Sequence, residues 1–212
     1  MKEGIDKMNL KKVTAMMMCV VMMAMLAAGC AKREKPDAGI KTYAEAILHQ
    51  DSKSLEKLGV DPNEAFRTYM TNFMGAYNQY TGGLFSAGHM KIIGSAVLLL
   101  FNKASINTAV VSENGNNAVV KVTVGKFDVA MMNDRDIVAE VYKINPRADY
   151  ITDPTAAAGL IATAMANVIS AMQPNGTSSF NIDCVYNEKA NRWEPADMDT
   201  FSNKLMSAVL GL

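Results

Sequence analysis

Apolar positions recur along the chain with two periods, and the switches between them outline its elements. Ile40, Tyr43, Ala44, Ile47 and Leu48 follow three- and four-residue steps, which predicts an amphipathic helix. Asp51-Ser52 can cap a short helix over 53–58 that stops at Gly59. At Asp61-Pro62-Asn63-Glu64 a capping aspartate, a first-turn proline and a third-position glutamate open a longer helix. Its stripe is Phe66, Met70, Phe73, Tyr77 and Tyr80, and Gly82-Gly83 breaks it. Another helix is predicted between Ser86 and Lys103. Its apolar run over 92–101 falls well short of the ~20 residues that span a bilayer, so it reads as a buried helix.

The period then changes to two. Strands are predicted over 106–112 and 118–124, joined through Asn114-Gly115, a strong hairpin signal between β-branched runs. Val120, Val122 and Val124 alternate with Lys121 and Thr123, as in a sheet packed on one face and wet on the other. Helix returns around 134–144. Asp153-Pro154 opens a further helix to about 173, and no charge occurs over 155–173. Its alanine, threonine and asparagine content favours a buried helix over a membrane span. The polar positions Thr163, Asn167 and Ser170 mark a face on which a partner protein could dock. A strand over 179–186, a turn over 187–191 and a short strand ending at Pro195 follow. Asp197 or Asp199 then caps a last helix that turns Phe201, Leu205 and Val209 to one side. The expected class is α+β: N-terminal helices on a small curved antiparallel sheet, a helical insertion over about 128–173, and a C-terminal helix.

The start of the chain is different. Eight of the 17 methionines fall in the first 29 residues, six of them within an apolar run over 16–28 preceded by Lys11 and Lys12. A basic region, a short apolar core and small residues at the exit describe a secretory signal. Met8 offers a second possible start. Leu26-Ala27-Ala28-Gly29-Cys30 resembles the lipobox of bacterial lipoproteins. That resemblance implies cleavage between Gly29 and Cys30, a diacylglycerol on the Cys30 thiol and a palmitate-type acyl chain on the new amino terminus. Two chains suit stable anchoring, since one binds only marginally. The expected organisation is a removed leader over 1–29, a lipidated cysteine with a charged tether over 30–37, and one domain over 38–212. The expected location is the extracytoplasmic face of the cell membrane.

Charge and chemistry narrow the function further. The whole chain has 21 basic and 21 acidic side chains. The leader takes four lysines and two acids with it, leaving 17 basic, 19 acidic and a net charge of −2. That balance argues against a nucleic-acid partner. Once the leader is removed and Cys30 lipidated, Cys184 is the sole free thiol, best read as a buried small residue. His49 and His89 lack metal-ligand spacing and read as surface or cap positions. Asp134, Asp136, Asp197 and Asp199 sit where helix caps belong. No nucleophile–base, phosphate-loop or metal motif occurs, so no catalytic residue, metal or cofactor is expected. The least ordinary feature is the aromatic stripe. Phe66, Tyr69, Phe73 and Tyr77, with Trp193, could line an apolar pocket between that helix and the curved sheet.

The spacing Ala44, Ile47, Leu48, Asp51, Leu55, Leu58-Gly59 and the segment Lys189-Ala190-Asn191-Arg192-Trp193-Glu194-Pro195-Ala196-Asp197 resemble small bacterial lipoproteins with a cystatin-like or NTF2-like domain of unknown function. The long helical insertion departs from a minimal domain of that kind. The absence of a nucleophile–base or metal constellation favours a non-catalytic surface module that binds a small apolar ligand, an envelope component or a partner protein. The alternative is an envelope enzyme whose site is assembled from scattered residues.

Overall fold

The computed structural model describes residues 33–129 and 132–212, with the backbone alone at positions 63–69, 72 and 80. Lys35–Leu212 form one compact unit. The leader, Gly29 and Cys30 lie outside the described residues.

Helix α1 (Pro36–Leu48) starts inside the segment whose charges suggested a tether. Pro36 stands in the first turn, where its missing N–H costs no hydrogen bond, and Asp37 adds an acid at the positive helix end. Asp51 caps α2 (Ser52–Lys57) by accepting from the Ser54 amide at 3.2 Å. α3 (Pro62–Tyr80) begins at the expected proline and ends before Gly82 and Gly83, both with positive φ. α4 (Ala87–Lys103) opens on a capping box: the Ser86 hydroxyl accepts from the His89 amide, and His89 Nδ1 accepts from the Ser86 amide. His89 is therefore a cap residue. The helix is two-sided rather than buried all round. Ile93, Val97, Leu100 and Phe101 are buried while Ile92 and Leu99 are exposed.

Four strands follow as an antiparallel sheet in the order β1-β2-β3-β4: β1 (Ile106–Asn114), β2 (Asn117–Gly125), β3 (Thr177–Asn187) and β4 (Arg192–Pro195). The first hairpin turns through Gly115-Asn116, one position later than Asn114-Gly115, because Asn114 pairs with Asn117. Gly115 takes φ +60° at the first loop position, where a II′ turn needs glycine. The expected alternation holds: Val120, Val122 and Val124 are fully buried and Lys121 is exposed. Between the hairpins run α5 (Asp134–Ile144), a 3₁₀ turn (Ala148–Tyr150) and α6 (Pro154–Ala171). α7 (Met198–Leu210) closes the chain, capped by Asp197.

The buried face of the sheet carries α1 and α7. α1 reaches across it from the Thr108 hydroxyl on β1, which donates to the Asp37 carbonyl at 3.0 Å, to Trp193 on β4. Phe180 of β3 meets Phe201 of α7 with ring centroids 6.3 Å apart. Trp193, Tyr43, Phe101, Phe127 and Phe201 fill the centre and are almost wholly buried. α6 packs on α4 and α5 through small residues, with Ala158, Ala162, Ala164 and Ala166 buried beside Met165 and Ile169. It is the one described helix long and apolar enough to cross a membrane by length and composition.

Candidate functional site

The helices enclose a cavity of about 520 Å³ away from the sheet. Its deep part is made by two pairs at helical i, i+4 spacing: Ile93 and Val97 on α4, Met165 and Ile169 on α6. All four are at most 3% exposed. Phe73 and Tyr77 of α3 form one side. Their rings stack at 6.5 Å, and Tyr77 stacks in turn on Phe85 at 6.4 Å. The Tyr77 hydroxyl points to Met165 Sδ at 3.6 Å. Val129, Met132 and Ile137 continue the wall, while Asp134 and Leu212 stand at the exposed end.

This arrangement follows from local sequence. α5 has no buried residue and reaches the rest of the fold chiefly through α6. One tie is the Asn167 amide, which donates to the Glu140 carboxylate at 2.8 Å. That bond, before the nearby Lys143, holds the Glu140 carboxyl below its usual range. Of the α6 positions read as a docking face, Asn167 makes this tie while remaining exposed. Thr163 donates to the Gly159 carbonyl at 2.9 Å, and Lys103 donates to the Ser170 carbonyl at 2.5 Å. A shallower groove lies between α5 and α6, lined by Asp136, Glu140, Lys143 and Asn167 among others.

Asp134 is the only charged side chain lining the cavity among the described residues. It is not the helix cap. Asn133 takes that role by accepting from the Arg135 amide at 2.8 Å. The Asp134 carboxylate has no hydrogen bond or ion pair among the described residues and is exposed at the mouth.

The sequence-derived pocket set divides. Phe73 and Tyr77 come together in the cavity wall. The side chains of Phe66 and Tyr69 lie outside the described ones. Trp193 is fully buried in the sheet core, packed edge-on against Tyr186 at 5.4 Å, and does not line the cavity. The expected pocket between aromatic helix and sheet is corrected accordingly: α1 and α7 fill the sheet's inner face, and no strand residue lines the void. Among the residues missed were Ile93, Val97, Ile137 and the unpaired role of Asp134. The i, i+4 apolar pairs were visible, but such pairs line a void and a core alike.

A second polar group ties β4 to the N-terminal helices. Arg192 donates to the Lys57 carbonyl at 2.8 Å, the Leu58 carbonyl at 2.7 Å and Glu194 at 2.8 Å. Tyr43 donates to the same Leu58 carbonyl at 3.3 Å. Burial, and then the Glu194 charge, push the Tyr43 hydroxyl up to about 12. Burial also pushes the Cys184 thiol up to about 11, which removes it from nucleophilic chemistry near neutrality. Among the described residues, no group of three or more histidine, cysteine or acid side chains could hold a metal ion.

Fold and cavity together define an α+β domain with an apolar pocket in its helical part. No protein-family profile and no curated protein matches the chain. Among solved structures it is similar to YcdA from Bacillus subtilis, a protein provisionally assigned as a lipoprotein, with a TM-score of 0.65 and 17% identity. The match covers 86% of this chain and 58% of that protein, so the chain spans little more than half the neighbour's length. At that identity the likeness is one of fold.

Proposed function

We propose that this chain is an extracytoplasmic lipoprotein, anchored through Cys30, whose domain is a non-catalytic binding module with the interhelical cavity as its ligand site. The cavity carries the reading. It falls within the size range of small-molecule sites, is lined mainly by apolar side chains and carries one charged side chain, Asp134, among the described residues. One carboxylate with no neighbouring base or nucleophile favours binding over chemistry. The basic, apolar and small-residue order ending at Cys30 supports the anchor, and the fold likeness to YcdA is consistent with it. A helix lying across a four-stranded antiparallel sheet supports the cystatin-like or NTF2-like reading of the sheet half.

Two measurements test this. Cells fed labelled palmitate should incorporate it into the wild-type chain and not into Cys30→Ser, and an unlabelled wild type sinks the anchor. Decanol should raise the melting temperature, followed by the fluorescence of the lone Trp193. At ten times its Kd the expected rise is about 3–6 °C. Ile169→Trp, which narrows the cavity at one of its buried walls, should reduce the rise. A decanol effect of equal size in that variant places binding elsewhere.

A further inference from the structure

We infer that the cavity selects single-chain amphiphiles with a cationic head, the alkyl chain lying between α4 and α6 and the head meeting Asp134; this rests on the cavity being a ligand site. The lining is graded in burial. Ile93, Val97, Met165 and Ile169 are almost wholly buried, while Asp134 and Leu212 are exposed. Such a gradient fits a molecule that is apolar at one end and polar at the other. A methylene fills roughly the ~30 Å³ of a liquid water. The volume of about 520 Å³ therefore takes a chain of ten or more carbons.

The sign of the head follows from what faces it. No lysine, arginine or histidine lines the cavity among the described residues. Arg135 follows Asp134 in the chain but is not in the lining. The positive end of α5 lies close by, worth about half a charge. Asp134 and Asp136 in the same first turn outweigh it. An anionic head would meet a carboxylate, and Lys126, beside Gly211 next to Leu212, is already paired with Asp128 at 2.8 Å, whereas an ammonium would pair with Asp134. For a pair at an exposed mouth the gain is up to about 1 kcal/mol, or roughly five-fold in Kd.

The test uses the full chain in nonionic micelles, with unfolding read through Trp193. Decylammonium, decanol and decanoate are titrated separately at neutral pH. Decylammonium should bind about five-fold tighter than decanol, and decanoate more weakly than either. Asp134→Asn should erase the preference for the amine while leaving decanol binding intact, and Asp134→Glu should keep it. Equal affinities for all three probes, or a preference for decanoate, overturn the head-group assignment and leave the pocket standing. A preference for the amine that survives Asp134→Asn overturns it too. If none of the three shifts the melt, the pocket itself is lost and the inference with it.

Discussion

Gly39→Ala is a sharp test of how α1 meets the sheet. In an exposed helix interior this change stabilises by about 1 kcal/mol, because alanine has less backbone freedom to lose. At position 39 a Cβ would stand 2.9 Å from Trp193 Cβ and 3.0 Å from the Trp193 carbonyl oxygen. Ordinary contacts of this kind lie near 3.5–4.0 Å. Neither atom can rotate away, since one is backbone and the other is fixed to it. Trp193 itself is fully buried and held against Tyr186. Relief requires α1 and β4 to part by several tenths of an ångström, and overpacking of this type costs about 1–3 kcal/mol. Fixed neighbours put the cost in the upper half of that range. Offsetting the helix gain leaves a net loss of about 1–2 kcal/mol. Gly75 in α3 supplies the control, because a Cβ there meets nothing within 4 Å. Gly75→Ala should gain about 0.5–1 kcal/mol. Urea unfolding followed through tryptophan fluorescence reads both, with the slope unchanged and the midpoints moving in opposite directions. If Gly39→Ala raises the midpoint as Gly75→Ala does, the close approach of α1 to β4 is wrong.

Other consequences concern charge and protonation. Arg192→Lys should cost about 1–2 kcal/mol although the charge is kept, because a lysine cannot fork to two carbonyls and Glu194 together; a urea midpoint equal to wild type would show that the fork is idle. With Cys19 and Cys30 changed to serine, Cys184 should resist a thiol reagent at pH 8 and react at once in denaturant, since it is 1% exposed. Rapid labelling of the folded chain would contradict its burial. Stability should also fall at high pH. Below pH 9 Cys184 and Tyr43 are protonated in both states, so their contribution is complete. As pH rises the unfolded chain releases protons first, while the folded thiol and hydroxyl hold theirs up to about 11 and about 12. Urea midpoints should therefore decline from about pH 9 upward, with a smaller decline in Cys184→Ala. A flat profile would mean that neither group is shifted.

Element types were legible in the sequence because each had a local cause: Asp51, Asp153 and Asp197 cap helices, and the Val120-Val122-Val124 alternation sets the buried face of β2. Boundaries shifted where two local signals competed. Pro36 fits a tether or a first helical turn, and packing of α1 on the sheet decided for the helix. The hairpin moved by one residue because β1–β2 register, not turn preference alone, placed Gly115 first in the loop. The site was half legible. Phe73 and Tyr77 declare an aromatic stripe, but a stripe does not say which neighbour it faces. That depends on α1 and α7 having taken the sheet, a tertiary outcome no local pattern carries. Trp193 was misplaced for the same reason: tryptophan suits a pocket or a core, and the glycine opposite it at position 39 makes this one core.

The cavity's energetics give a last test, one of chain length. A closed, dry void costs about 24 cal/mol per Å³. For about 520 Å³ that comes to roughly 12 kcal/mol, as much as the whole stability of an ordinary domain. The mouth at Asp134 and Leu212 relieves this by admitting solvent. Yet Ile93, Val97, Met165 and Ile169 offer that solvent no hydrogen-bond partner. Each methylene that displaces water from this floor should gain about 0.8 kcal/mol, a factor of about four in Kd. The gain ends when the volume is filled, at roughly sixteen methylene-sized groups. A series of primary alcohols from six to eighteen carbons, measured against the same melt, should tighten about four-fold per carbon and then level off near that length. Ile169→Trp should bring the plateau about two carbons earlier. An affinity that ignores chain length, or climbs through eighteen carbons unchanged by Ile169→Trp, would mean that the alcohols sit on the surface and that the void between α4 and α6 is not where they bind.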